Sequence, residues 1–174
     1  MESAELATEC EQLFHLSNAY LCTCEHLCDE MISGDFESDA PTNKVVLNLC
    51  HQGIELFLKA ALLKAGKPPE HGHNLMQLQK KYASAYPSKT FDLPVPFGYL
   101  SPVNEDLFVD SNEKRFGMLH QKFRYSSDIK GIPWPQVENL NPNEFLNELI
   151  TVKKRAYQIW FSLGKQNAQQ NPNK

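Results

Sequence analysis

An all-α fold of about five helices, joined by Pro-rich extended connections, is what this sequence predicts. Apolar residues recur at three- and four-residue spacings over several long stretches, Gly and Pro collect between those stretches, and helix-capping residues stand at their starts. Length and composition agree with one hydrophobic core. The chain has 174 residues, 41% hydrophobic and 22% charged, which suits a single domain over 1–165 followed by a polar C-terminal tail over 166–174.

The first helix is predicted from Ala4 to Ile32, where Leu6, Cys10, Leu13, Tyr20, Cys24, Leu27 and Met31 keep a helical stripe that ends near Gly34. Ser33 to Thr42, polar and carrying Gly34 and Pro41, is expected as a loop, and Thr42 or Asn43 as the cap of the next helix. That second helix runs through Val45, Val46, Leu49, Cys50, Ile54, Phe57, Leu58, Ala61 and Leu62 to Gly66, where Pro68 and Pro69 stop it. It is apolar nearly all round, so it belongs at the centre. Gly53 in its middle is expected at a close helix crossing.

A short third helix follows over His73–Tyr82, with Leu75, Leu78 and Tyr82 on one side. Residues 87–102 contain four prolines and predict an extended connection. Helical spacing resumes from Asn104 to about Lys122, and Pro133-Trp134-Pro135 then lays another extended segment over the bundle. Asn141, Pro142 and Glu144 form a capping-box start for the last helix, whose Phe145, Leu149, Val152, Ala156, Ile159 and Leu163 make one apolar face up to about Gly164.

Charge narrows the function. A net charge of −4 and a pI near 5.9 argue against a broad phosphate-binding surface, because non-specific nucleic-acid affinity rests on clustered Lys and Arg. Only three arginines, Arg115, Arg124 and Arg155, are available for a bidentate grip on phosphate. Five cysteines, an N-terminus without a positive leader and apolar run, and no uninterrupted apolar stretch of about 18 residues lead to the expectation of a cytoplasmic chain with reduced thiols and no membrane association. The sequence holds no Gly-x4-Gly-Lys phosphate loop, no dinucleotide Gly-x-Gly-x-x-Gly fingerprint and no nucleophile elbow. No cofactor and no metal are expected.

Four constellations carry chemistry. His51, Glu55 and Lys59 are spaced four apart and share a helical face with Gln52 beside them, either as a structural network or as a ligand site. Arg124 and Tyr125 combine a phosphate-gripping guanidinium with a ring able to stack on a base, in company with Lys122 and Lys130. Cys22-x-Cys24-x-His26-x-Cys28 holds zinc-type ligands, yet on a helix Cys24 and Cys28 face one way and Cys22 and His26 another. His71 and His73 read as the entrance to the third helix rather than as a metal pair.

The run His51-Gln52-Gly53-Ile54-Glu55-Leu56-Phe57-Leu58-Lys59-Ala60, followed by Gly66, the proline pair, His73-Asn74-Leu75 and Leu78, resembles the HEPN family (higher eukaryote and prokaryote nucleotide-binding) over Val45 to Tyr82. Phe123-Arg124-Tyr125-Ser126-Ser127-Asp128 resembles an Arg-Tyr element found after the third helix in some branches of that family. The resemblance implies an antiparallel helical bundle and homodimerisation. It also implies RNA or nucleotide binding, as a toxin or defence-module component with a nucleotidyltransferase-type or antitoxin partner, or metal-independent endoribonuclease activity.

Catalytic members carry Arg, four to six residues, then His, and Arg115-Phe116-Gly117-Met118-Leu119-His120 has that spacing. Phe116 and Lys122 stand where the family pattern has a polar residue and a Tyr. The resemblance therefore assigns His120 as general acid or base and Arg115 as the stabiliser of phosphate charge. Five positions on an ideal helix set the two about 140° apart, so convergence requires a distortion or a second subunit. A third expectation, from a different class, is a non-catalytic protein-interaction module using the segments Leu93 to Phe97 and Ile132 to Pro135.

Overall fold

The most apolar stretch of the sequence becomes the centre of the fold. The computed structural model describes residues 2–68, 71–96, 119–127, 130–134, 137 and 140–170, which form α1 (Glu2–Ser33), α2 (Ala40–Lys64), α3 (Leu75–Ala85), a 3-10 turn (Lys89–Phe91), α4 (Leu119–Arg124) and α5 (Pro142–Gln170). Among the described residues the architecture is all-α, with five α-helices, no strand, and one isolated bridge between Ser127 and Pro133. The segment 97–118, which holds most of the predicted fourth helix, lies outside the described residues.

Helix α2 touches each of the other four α-helices. Val46, Leu47, Cys50, Ile54, Phe57, Leu58, Ala60 and Ala61 are fully buried there, as the all-round apolar pattern requires. It is the one helix among the described residues long and apolar enough to cross a membrane, but 67% of its apolar window is buried inside the fold.

The start of α2 differs from the expectation of a Thr42 or Asn43 cap. Asp39 is the cap: its carboxylate accepts from the Thr42 N–H at 2.8 Å, and Pro41 sits inside the first turn, where its missing N–H costs nothing. Asn43 is instead fully buried and donates through Nδ2 to the Val137 carbonyl at 2.8 Å, tying the connection before α5 to the core helix. Gly66, at φ 69°, follows the last turn of α2 in the left-handed region that suits glycine.

Helix α1 packs on α2 through small residues and thiols. Phe14 meets Phe57, Ser17 Oγ donates to the Gly53 carbonyl at 2.6 Å, and Cys24 Sγ donates to the Val46 carbonyl at 3.2 Å. A Cβ built on Gly53 would stand 2.6 Å from Leu21 Cδ2 and 3.3 Å from the Ser17 carbonyl oxygen, so the expected close crossing is there.

Helix α5 starts as its capping sequence dictates, with Asn141 Oδ1 accepting from the Asn143 and Glu144 N–H groups at 3.1 and 3.4 Å. Its apolar face, Phe145 through Leu163, is buried, and Trp160 stacks on Phe14 with ring centroids 4.3 Å apart. The helix does not stop near Gly164. It continues through the expected tail to Gln170, because no proline intervenes before Pro172 and one glycine costs a helix only about 1 kcal/mol.

Of the two residues expected near the cap of α3, His73 and Asn74, it is Asn74 that caps the helix, accepting from the Gln77 N–H at 3.1 Å, and the helix runs three residues past Tyr82 to Ala85. The Pro-rich stretch that follows begins with a 3-10 turn held by Arg155, which donates to the carbonyls of Asp92, Lys89 and Thr90. One of the three arginines is thereby committed to structure. The cap of α3 leaves His73 outside the helix and facing α2.

Candidate functional site

A carboxylate on an apolar helix must find partners, because an isolated buried charge is costly. Glu55 is 2% exposed and meets this need with two elements. Lys59, one turn along α2, donates from Nζ to Glu55 Oε1 at 2.8 Å, and His73 Nδ1, from the turn before α3, lies 2.9 Å from the same oxygen. Facing an acceptor, His73 Nδ1 carries the proton. Glu55 Oε2 has no hydrogen-bond partner among the described residues, with His51 Nδ1 3.9 Å away.

His51 is fully buried on the same face, one turn before Glu55. Burial drives its pKa down from 6.5 to about 4; Glu55 pulls the other way, and His120, His73 and Arg124 add to the depression. His51 is thus a neutral ring at neutral pH. It packs against Phe123 and His120 of α4, with centroids 6.2 and 6.4 Å away.

Helix α4 brings the second group of residues. Leu119 and Phe123 are buried and anchor it on α2, and this register turns His120 toward the Glu55 cluster. The His120 and His73 rings lie 5.4 Å apart at 35°. Arg124 and Tyr125 follow at the end of α4, Arg124 exposed and Tyr125 59% exposed. Lys122 lies over the Trp134 ring at 5.6 Å, and the Trp134 backbone N–H donates to the Ser126 carbonyl at 3.0 Å, so the Pro-Trp segment covers this side of α4.

The structure therefore brings together His51, Glu55, Lys59, His73 and His120, with Arg124 acting electrostatically on the cluster. Arg115, Phe97 and Pro135 lie outside the described residues, so the relation of Arg115 to His120 and the two ends of the interaction-module segments do too. His73 was missed as a site residue. The available signal was Glu55 itself: a central carboxylate has room for more donors than Lys59, and two histidines, His71 and His73, follow the short Gly-Pro linker after α2.

Other titratable groups separate. Cys24 and Cys28 are buried with Cys50 at the α1–α2 contact, where the neighbouring Cys24 thiol and burial push the Cys28 pKa up. Cys22 is exposed, beside Lys153, and His26 faces Glu30, so the Cys-x-Cys-x-His-x-Cys run is split between faces of α1. Among the described residues no group of three or more His, Cys, Asp or Glu has an arrangement that would hold a metal ion. A cavity of about 390 Å³, lined by Leu62, Lys67, Pro68, Lys80, Lys81 and Ser84, opens farther along α2 and α3 and shares no residue with the cluster.

Comparison with family models, curated proteins and solved structures yields no match to this chain. The geometry of the cluster is the ground for a functional reading.

Proposed function

We propose that this chain is a HEPN-like RNA- or nucleotide-binding protein of the cytoplasm, built as an antiparallel bundle and acting as a homodimer in a toxin or defence module. The observation that carries the reading is that His73 joins the Glu55–Lys59 pair while His120 lies against His73 and His51, with Arg124 and Tyr125 following at the end of α4. Residues from three elements meet where one helix face alone would have supplied only a salt bridge. In this reading Arg124 and the imidazoles contact phosphate, and Tyr125 offers its exposed ring to a base. The small number of cations limits the interface to a local one, with a shallow salt dependence.

Fluorescence anisotropy with a labelled single-stranded RNA in EDTA tests the reading. Saturable binding that weakens about tenfold in Arg124→Ala/Tyr125→Ala supports it; absence of binding at protein concentrations up to about 100 μM, where non-specific complexes already form, refutes it.

A second reading is favoured by the paired imidazoles. Two histidines whose rings lie 5.4 Å apart fit a metal-independent ribonuclease, with His120 as acid or base and Arg115 stabilising phosphate charge as the family resemblance implies. In the interaction-module segment Trp134 is half-buried beside Lys122, while Ile132 is 60% exposed.

A further inference from the structure

We infer that Glu55 and His73 form a proton-transfer dyad in which His73 Nε2 is the general base of RNA cleavage, an assignment that rests on the ribonuclease reading of this site. A merely structural network would hide both partners. Here the carboxylate is 2% exposed while the imidazole it holds is 45% exposed, so a buried anion orients a ring that solvent and substrate reach. Glu55 Oε1 accepts from His73 Nδ1, which fixes the tautomer and leaves the Nε2 lone pair on the opposite edge of the ring. Lys59 shares the same carboxylate oxygen and holds its position from the other side. The His120 ring, 5.4 Å away, supplies a second imidazole within the span of one phosphodiester.

The step balances without a metal or co-reactant. The ribose 2′-hydroxyl gives its proton to His73 Nε2 as its oxygen forms a bond to phosphorus. The P–O5′ bond breaks, and the departing 5′-oxygen takes a proton from the His120 imidazolium. The products are a 2′,3′-cyclic phosphate and a 5′-hydroxyl end, and exchange with water restores both rings. Arg124 balances charge on the phosphate oxygens. His51 takes no part in the proton transfer, since it is fully buried and out of reach of substrate.

Among the described residues Glu55 contacts His73, Lys59 shares that carboxylate oxygen, and His51 packs against His120.

The test uses the full chain and a labelled RNA oligonucleotide in EDTA, comparing the parent with His73→Gln and Glu55→Gln, with thermal unfolding recorded for each. The expected result is cleavage to 2′,3′-cyclic-phosphate ends by the parent, and a loss of kcat of about 100-fold or more in His73→Gln with KM within about threefold. Because His73 is exposed, that variant keeps the fold even where Glu55→Gln does not. Parental kcat in His73→Gln overturns the dyad. An RNA that is bound but never cut by the parent also overturns it and leaves the binding reading standing, whereas an RNA neither bound nor cut removes both.

Discussion

Replacing Gly53 by Ala reverses the sign that helix propensity alone would give. In an open helix, Gly→Ala gains about 1 kcal/mol. At position 53 the new methyl would stand 2.6 and 2.7 Å from Leu21 Cδ2 and Cγ, and 3.3 Å from the Ser17 carbonyl oxygen. Leu21 is 2% exposed, so its branch point has no free space to move into, and overpacking of this kind costs about 1–3 kcal/mol. Spreading α1 from α2 to relieve the clash would also lengthen the 2.6 Å hydrogen bond from Ser17 Oγ to the Gly53 carbonyl, worth about 1 kcal/mol. The net expectation is a loss of about 1–2 kcal/mol for Gly53→Ala and more for Gly53→Leu. Gly164→Ala is the internal control, because its Cβ would meet only Lys64 Nζ at 4.0 Å, and it should gain up to about 1 kcal/mol. Urea unfolding of the parent and the three variants reads all of this from midpoints at constant m-value. A higher midpoint for Gly53→Ala than for the parent would refute the close α1–α2 crossing.

His51 makes stability depend on pH in a defined window. Its folded-state pKa is depressed from 6.5 to about 4, so the unfolded chain binds the extra proton; the stability it contributes is complete above pH 6.5 and falls by about 3 kcal/mol as the pH drops toward 4. Urea midpoints of His51→Phe should show a shallower fall over that window, and an unchanged slope would contradict the buried neutral ring. Phe14→Ala should cost about 3 kcal/mol or more, because its ring stacks on Trp160 at 4.3 Å and meets Phe57 and Tyr157 edge-on; a loss below about 1 kcal/mol in calorimetry would mean that α5 does not dock there. Asn141→Ala removes the acceptor of two N–H groups at the start of α5 and should cost about 1 kcal/mol in urea unfolding, with no loss indicating that the first turn is already frayed.

The helices were legible because their signals are local. The 3.6-residue stripe of α5, the all-round apolar run of α2 and the Asn141-Pro142-x-Glu144 cap depend only on neighbours in the chain. The start of α2 was misplaced because Asp39, Thr42 and Asn43 all carry capping side chains within five residues; Asp39 caps the helix, and Asn43 is drawn to the Val137 carbonyl.

Half of the candidate site was legible for the same reason. His51, Glu55 and Lys59 are related by helical spacing, so their shared face follows from the sequence. His73 and His120 reach that face across 18 and 65 residues from Glu55, respectively, and no periodicity encodes such contacts. The sequence did leave one demand unmet, a buried carboxylate with a single lysine partner, but it does not choose between His71 and His73 to meet it. Arg155 was misjudged in the other direction: a residue valued as a scarce phosphate ligand serves three backbone carbonyls of the Lys89–Asp92 turn.

The most direct test of the account follows the side-chain imidazole NMR signals of the six histidines while a short single-stranded RNA is added to the full chain. The account predicts that His73 and His120 shift together and saturate with the bound fraction, while His15 and His26, on α1, stay in place. Binding that moves His15 or His26 and leaves His73 and His120 unchanged would contradict the assignment of the Glu55 cluster as the RNA site.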